Sequence, residues 1–249
     1  MYTISIFTKK MNMNVATNGS SGLTYICHEI LHKSDNMTRD ALNLGLISTV
    51  TYLNDAELPQ VKTDTVDPVL LSNTEDLIPF NRAKTCLRRD VGVHFFIDDY
   101  QFERVWRSPQ LYVEQLRKYH FVCAPDFSLY LDVPAAVKIW NVYRSRLITA
   151  YWQKKGLKVI PTLQWADPKT FGFCFVGIQP GGTVAVSTLG AAKHRLSRQI
   201  WVAGMKEAIR QLHPDTILLY GVPIDFDFGD IEVVHYTNEV IERRMSYGR

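Results

Sequence analysis

The chain has 249 residues, 46% of them hydrophobic and 21% charged, and 28 Lys and Arg against 25 Asp and Glu give a net charge of +3. That balance excludes a disordered chain, a collagen-like fibre and a disulfide miniprotein, and at this length roughly 70–75% of the unfolded surface can be buried without a staple. So small an excess of positive charge also argues against a surface dedicated to the phosphate backbone of a duplex, while leaving a local basic face open.

In chain order, the first third is irregular. Residues 11–22, MNMNVATNGSSG, read as a polar loop. Residues 54–76 are acidic and carry Pro59 and Pro68, which disfavours a long helix. Ile4 to Phe7 and Leu46 to Leu53 are the short apolar pieces, read as strands packed on the remainder. From residue 91 a rhythm begins. Val93–Ile97, Phe121–Ala124, Leu157–Pro161, Thr183–Ser187 and Thr216–Tyr220 are strand-like runs whose starts lie about 26 to 36 residues apart, the size of a βα unit. Ile231–His235 is a candidate sixth strand, and a closing helix is expected near 238–244.

Helices fall between the strands. Ser108-Pro109 has the form of an N-cap and first turn. A long helix is predicted over about 134–155, opened by Pro134 and stopped by Gly156 after Lys154 and Lys155. Ile139, Tyr143, Leu147 and Tyr151 would form its apolar face. A further helix near 197–212 turns Ile200, Trp201, Met205, Ile209 and Leu212 inward.

Alternating strands and helices imply an α/β fold of successive βα units with a mainly parallel sheet. A complete or partial βα barrel suits the count better than a doubly wound sheet. The organisation expected is a single domain over 1–249. It has an irregular segment over 1–80 carrying a few strands, a βα core over 91–221, and a C-terminal strand and helix over 222–249.

In parallel α/β folds ligands bind at the carboxyl ends of strands. Asp98 and Asp126 follow consecutive strands and are the candidate catalytic pair, for acid–base work or for sharing a hard cation such as Mg²⁺. Asp99, beside Asp98, and Gln164, Trp165, Ser187 and Tyr220 at other strand ends are candidate substrate-binding residues. Asn141 and Arg144 share a helix face, from which Arg144 could reach Asp126 or an anion. Plainer readings stand beside these: Asp99 and Asp167 as helix caps, Arg144 in a structural ion pair, and the tryptophans as core. No cofactor is specified. Glycine-rich dinucleotide and Walker fingerprints, His-based zinc spacings and the Gly-x-Ser-x-Gly elbow are all missing. The cysteines Cys27, Cys86, Cys123 and Cys174 form no CxxC pair. Reduced thiols, no bilayer-length apolar run and no secretory h-region lead to a cytoplasmic expectation with no membrane partner.

The strings VGVHFFIDDYQFERVW, APDFSLYLDVPAAVKIWNVYRSRLITAYWQKKGLKVIPTLQWAD and PGGTVAVSTLG closely resemble the family called domain of unknown function 4417, over roughly residues 79–221. That family occurs in bacteria, phages and other mobile elements. The resemblance implies a phage or mobile-element origin, and then a place in the host cytoplasm, but no activity, cofactor or catalytic residue. Two functions follow from the residues. One is an enzyme, hydrolytic in character, acting on a nucleotide, nucleic-acid or sugar-containing substrate. The other is a non-catalytic accessory protein that binds nucleic acid, a signalling nucleotide or a host protein, using clusters such as Arg82, Lys84, Arg88 and Arg89 or Arg243 and Arg244.

Overall fold

The computed structural model describes residues 41–237, apart from 53 and 75. Among these residues there are seven strands: β1 (Leu77–Pro79), β2 (Gly92–His94), β3 (Phe121–Cys123), β4 (Val159–Ile160), β5 (Thr183–Ser187), β6 (Thr216–Tyr220) and β7 (Glu232–Tyr236). The helices are α1 (Leu44–Ile47), α2 (Pro68–Ser72), α3 (Glu103–Arg107), α4 (Val113–Leu116), α5 (Ala135–Lys154), α6 (Phe171–Cys174) and α7 (Arg195–Leu212).

All strand pairs are parallel, as the βα spacing requires. β1 to β4 form one sheet in chain order, with Ile78 opposite Val93 and Val122 opposite both Val93 and Val159. β5 to β7 form a second, with Val184 opposite Ile217 and Ile217 opposite Val233. A parallel bridge joins the two at Thr162 and Ala185, where Ala185 N–H donates to Pro161 O (2.9 Å) and Leu163 N–H to Ala185 O (2.8 Å). The strands thus run in chain order without reversal.

Alternation along each strand separates two faces. Val93, Phe95, Val122, Ala124 and Val159 face outward into a core with Trp106, Leu147, Ile148 and Trp152. Val184, Val186, Ile217 and Leu219 pack beneath Trp201, Met205, Ala208 and Leu212 of α7. The other face collects Phe121, Cys123, Ile160, Ala185, Leu218 and Tyr236 into one cluster with Val66 and Leu71. There the His94 ring lies 4.3 Å from that of Tyr220, which also stacks on Phe96 at 5.2 Å. β2 and β6 are four positions apart, so a flat sheet would separate them by about 19 Å. The sheet is therefore strongly curled. Among the described residues β7 does not pair with β1, so no closed barrel forms.

The amino ends are tied together by residues 61–65. Val61 bridges Ile178, Gln153 and Lys62 exchange hydrogen bonds (2.9 and 2.8 Å), Thr65 Oγ1 donates to Val159 O (2.8 Å), and Thr183 N–H donates to Thr63 O (2.9 Å).

Several expectations need correction. The β-branched run after Leu46 is not a strand: Leu44–Ile47 is a helical turn, and no neighbouring strand edge is offered to the residues that follow. β1 was not anticipated, being three residues long and ending in Pro79 at a sheet edge, where a missing N–H is tolerated. Ser108 makes no side-chain cap, and Pro109 opens a 3-10 turn before α4. α5 is not one-faced. It is buried almost all round from Asn141 to Trp152, because α1 and α6 cover the sides that the sheet does not, whereas Ile139 is 41% exposed. The strand Ile4–Phe7, the loop 11–22 and the helix 238–244 lie outside the described residues.

Gly92 shows how tightly the inner face is packed. A Cβ there would stand 2.4 Å from Leu77 Cδ2 and 2.6 Å from the Phe121 ring. Gly92→Ala is expected to destabilise by about 1–3 kcal/mol through overpacking, lowering the melting temperature by several degrees at about 2–4 °C per kcal/mol. Thermal unfolding measures it, and an unchanged melting temperature contradicts this packing.

Candidate functional site

The carboxyl ends of β2 to β5 open on a cleft of about 710 Å³. Residues 96–98 and Gln101 contribute after β2, Asp126 and residues 128–132 after β3, and residues 163–166 after β4. β5 supplies Val186 and Ser187, its following loop residues 189–191, and α7 supplies Ser197, Ile200 and Trp201. Of the residues singled out from sequence, Asp98, Asp126, Gln164, Trp165 and Ser187 line this cleft. Asp99, Asn141, Arg144 and Tyr220 do not. Ser128, Asp132, Ser197 and Trp201 were missed. The first two follow a strand end and Ser197 opens a helix after one, so reading further into each loop could have found them.

Local packing fixes the apolar wall. Trp165 turns the Nε1 edge of its ring toward α7, donating to Ile200 O (3.2 Å). Only a glycine permits this: a Cβ at Gly204 would be 2.1 Å from Trp165 Nε1. Trp201 Nε1 donates to Ser187 O (3.0 Å), which ties α7 to the end of β5. Thr162 Oγ1 donates to Ala124 O (2.8 Å) and Gln164 Nε2 to Pro125 O (3.3 Å), joining the β3 and β4 ends.

Electrostatics single out Asp126. Burial, and then the nearby Asp99 carboxylate, push its carboxyl from the ordinary value near 3.8 up to about 7, while the Gln164 amide opposes the change. The charge acting on Asp126 is thus that of Asp99, whereas Asp98 is exposed and bonds to Gln101 (3.5 Å). Asp99 does not cap a helix. It accepts from Ser128 N–H and Ser128 Oγ (2.8 Å), pinning the loop that carries Asp126. Asp167 does act as a cap, accepting from Lys169 N–H (2.9 Å).

Arg144 reaches neither Asp126 nor the cleft. It grips Glu103 with Nη1 (2.8 and 3.0 Å), donates to Asn141 Oδ1 (2.7 Å) and lies over the Phe127 ring at 3.8 Å. Asn141 Nδ2 in turn donates to Ser128 O (2.8 Å). These residues buttress the 125–132 loop from behind. Tyr220 stands one layer below the cleft, beside Phe96 and His94. His94 Nδ1 accepts from Phe96 N–H (3.1 Å), which places its proton on Nε2, and burial lowers its pKa to about 3.

The basic segment is locally engaged. Arg88 pairs with Asp76 and Asp90, and Arg89 donates to Tyr119 Oη (2.9 Å). Among the described residues no three His, Cys, Asp or Glu side chains stand close enough to hold a metal ion. Nor is any described helix long and apolar enough to cross a membrane. Cys123 and Cys174 are buried free thiols.

The model of the family described as Domain of unknown function (DUF4417) matches residues 51–237. The chain belongs to that family. The chain is similar to the "Gene 1 protein" of Mycobacterium phage L5, 44% identical over 208 residues, covering 84% of this chain and 89% of that protein. The "Gene 1 protein" of Mycobacterium phage D29 is 38% identical over 182 residues, covering 73% of this chain and 66% of that one. No solved structure matches the chain significantly. The family match extends beyond the 79–221 span anticipated from sequence, taking in β1, α2 and β7.

Two measurements test this geometry. The folded chain keeps the Asp126 proton at pH values where the unfolded chain has released it, so stability falls as pH rises from about 4 to about 7. Asp126→Asn removes that loss. Its melting temperature should match wild type near pH 4 and exceed it at pH 8, by roughly 1–3 kcal/mol in stability after allowance for water at the cleft. Identical pH profiles contradict the raised carboxyl. Gly204→Ala improves helix propensity by about 1 kcal/mol, yet is expected to lower the melting temperature and shift tryptophan emission, because Trp165 must move.

Proposed function

We propose that the cleft is the active site of a hydrolytic enzyme acting on a nucleotide, nucleic-acid or sugar-containing substrate, with Asp126 as general acid–base. The observation that supports this best is a half-buried carboxyl poised near neutrality inside a cleft, next to Gln164 and facing a tryptophan wall. A group with a pKa close to ambient pH both takes up and releases a proton readily, which suits it to this role. Asp98, at the same cleft, would polarise water or an incoming hydroxyl. Trp165 offers an apolar face to a ring, and Ser187 a hydroxyl. Asp99, Asn141 and Arg144 act from behind, by fixing the loop that presents Asp126. The seven strands are best taken as an opened βα barrel, since their order never reverses and β2 meets β6 across the interior. In such a fold the catalytic groups gather at the carboxyl ends of several strands.

The test is turnover. Wild type is incubated with nucleotides, oligonucleotides and glycosides, and products are separated chromatographically. Asp126→Asn should reduce the rate by about 10²- to 10⁴-fold, with ligand affinity little changed and a limb of the wild-type pH–rate profile near 7. Full turnover in Asp126→Asn sinks the assignment. If ligands stabilise the protein but none is turned over, the non-catalytic accessory reading takes its place.

A further inference from the structure

The outward face of α7 carries charge that the fold itself leaves largely unpaired. From Lys193 to His213 the chain has five Lys and Arg against one acidic residue, Glu207, a surplus of four where the whole chain has +3. The excess positive charge of the protein is therefore gathered on this one segment. At 100° per residue Arg195, Arg198, Lys206 and Arg210 fall on one side of the helix, and all four are exposed. Trp201, Met205, Ala208 and Leu212 are buried on the other. That packing anchors the helix, so the cations form a fixed stripe about 23 Å long at 1.5 Å per residue.

Little on the chain neutralises this stripe. Glu207 is already taken by Arg210 (2.6 and 2.9 Å). Among the described residues Lys193, Arg195 and Lys206 have no side-chain hydrogen bond or ion pair, and Arg198 donates only to the Ala192 carbonyl (2.8 Å). Arg88 and Arg89, in the basic cluster read from sequence, are by contrast engaged. Between Arg198 and Lys206 the small side chains of Val202 and Ala203 leave a shallow depression of about 340 Å³. Arg195, in the first turn, opposes the helix dipole and so gains nothing from the helix it opens.

The stripe leads into the cleft. Ser197 and Trp201 of α7 line it, and Arg195 and Arg198 stand within one turn of Ser197. Tyr130, which is 61% exposed, and Trp165 line the same cleft. A cationic track beside aromatic side chains is the combination that holds single-stranded nucleic acid, with phosphates on the cations and bases on the rings. Asp98 and Asp132 line the part of the cleft after β2 and β3. They repel phosphates, so the backbone stays on α7 while an uncharged base crosses toward them. A duplex cannot offer a base in this way without unstacking it. A membrane surface would need an apolar face beside the cations, and that of α7 is buried in the core.

We infer that the outward face of α7 binds the phosphate backbone of a single-stranded nucleic acid and leads it to the cleft, where a base meets Tyr130 and Trp165. This narrows the substrate of the proposed active site to nucleic acid and rests on that reading only for the base, whereas the contact with α7 stands without it.

The test is fluorescence anisotropy of the full chain with a labelled oligothymidylate across a range of salt. For single strands the logarithm of the affinity falls by about 0.7 per cation–phosphate contact for each tenfold rise in salt. The double variant Arg195→Gln, Lys206→Gln should therefore cut the slope by about 1.4 and weaken binding about tenfold or more at about 0.1 M salt. Both side chains are exposed and unpaired among the described residues, so its melting temperature should match wild type. Arg88→Gln, at a residue already held by Asp76 and Asp90, should leave affinity unchanged. A duplex of the same length should bind more weakly than the single strand. Oligomers carrying 5-iodouracil at one end or the other should cross-link on irradiation to Tyr130 or Trp165. Asp126→Asn should leave affinity and cross-link in place, so failure of the acid–base reading is seen separately from failure of this one. An unchanged affinity or salt slope in the double variant overturns the proposal. So does displacement of the oligomer by polyglutamate at equal charge, which would make α7 a site for an acidic protein instead. A duplex bound as tightly, or no cross-link to either ring, overturns the entry of a base into the cleft.

Discussion

The contact of His94 and Phe96 with Tyr220 is the constraint on which the rest of the architecture turns. It holds two strands together that a flat sheet would keep far apart, and it does so with rings that have no room to slide. Gly92, directly below on β2, is the counterpart of that crowding, since Leu77 and Phe121 already occupy the space a side chain would need. With β2 and β6 drawn together, the strands between them bend, and their carboxyl ends converge. The cleft is the space left where they converge. Its floor contains Phe96, so the interaction that curls the sheet also shapes the bottom of the site.

Above that floor the protein accepts a cost. The Asp126 carboxyl is held near another carboxylate and away from bulk water, an arrangement that disfavours its charged form. Asp99 is not free to turn away, because two bonds to Ser128 hold it, and Ser128 is itself held by Asn141 and through it by Arg144 and Glu103. The chain of contacts runs from α3 through α5 to the loop after β3. The raised Asp126 carboxyl is thus kept beside Asp99 by a succession of contacts that reaches back to Glu103.

Much of the fold was legible in sequence, for physical reasons that vary by element. Thr183–Ser187 and Thr216–Tyr220 were found at their full length, because long apolar runs bounded by turn residues have few other uses. The parallel sense followed from the length of the connections. β1 could not be read from three residues that end in proline, and the burial of α5 could not be read from its own polar side chains. Arg144, Ser145, Arg146 and Thr149 look like an exposed face until partners such as Glu103 and the Cys174 carbonyl arrive from elsewhere. The cleft was legible to the level of strand ends: Asp98, Asp126, Gln164, Trp165 and Ser187 line it, whereas Asp99 and Tyr220, placed by the same rule, do not. Which of two adjacent aspartates acts on Asp126 was not, since that depends on how the loop turns after β2.

The tie at residues 61–65 bears on how the chain is made. Its partners lie 91 and 94 positions away at Gln153 and Val159, and further still at Ile178 and Thr183. During synthesis the early segment can meet Gln153 and Val159 first, but its ties to Ile178 and Thr183 wait until the ribosome has released enough of the chain to form β5. Before then β1 to β4 can assemble, but the tie that joins them to β5 is missing. Final closure is a late, long-range event, and contacts of such wide separation slow folding generally. A nascent chain stalled before β5 would present an incomplete sheet edge to its surroundings, the kind of surface on which chaperones act.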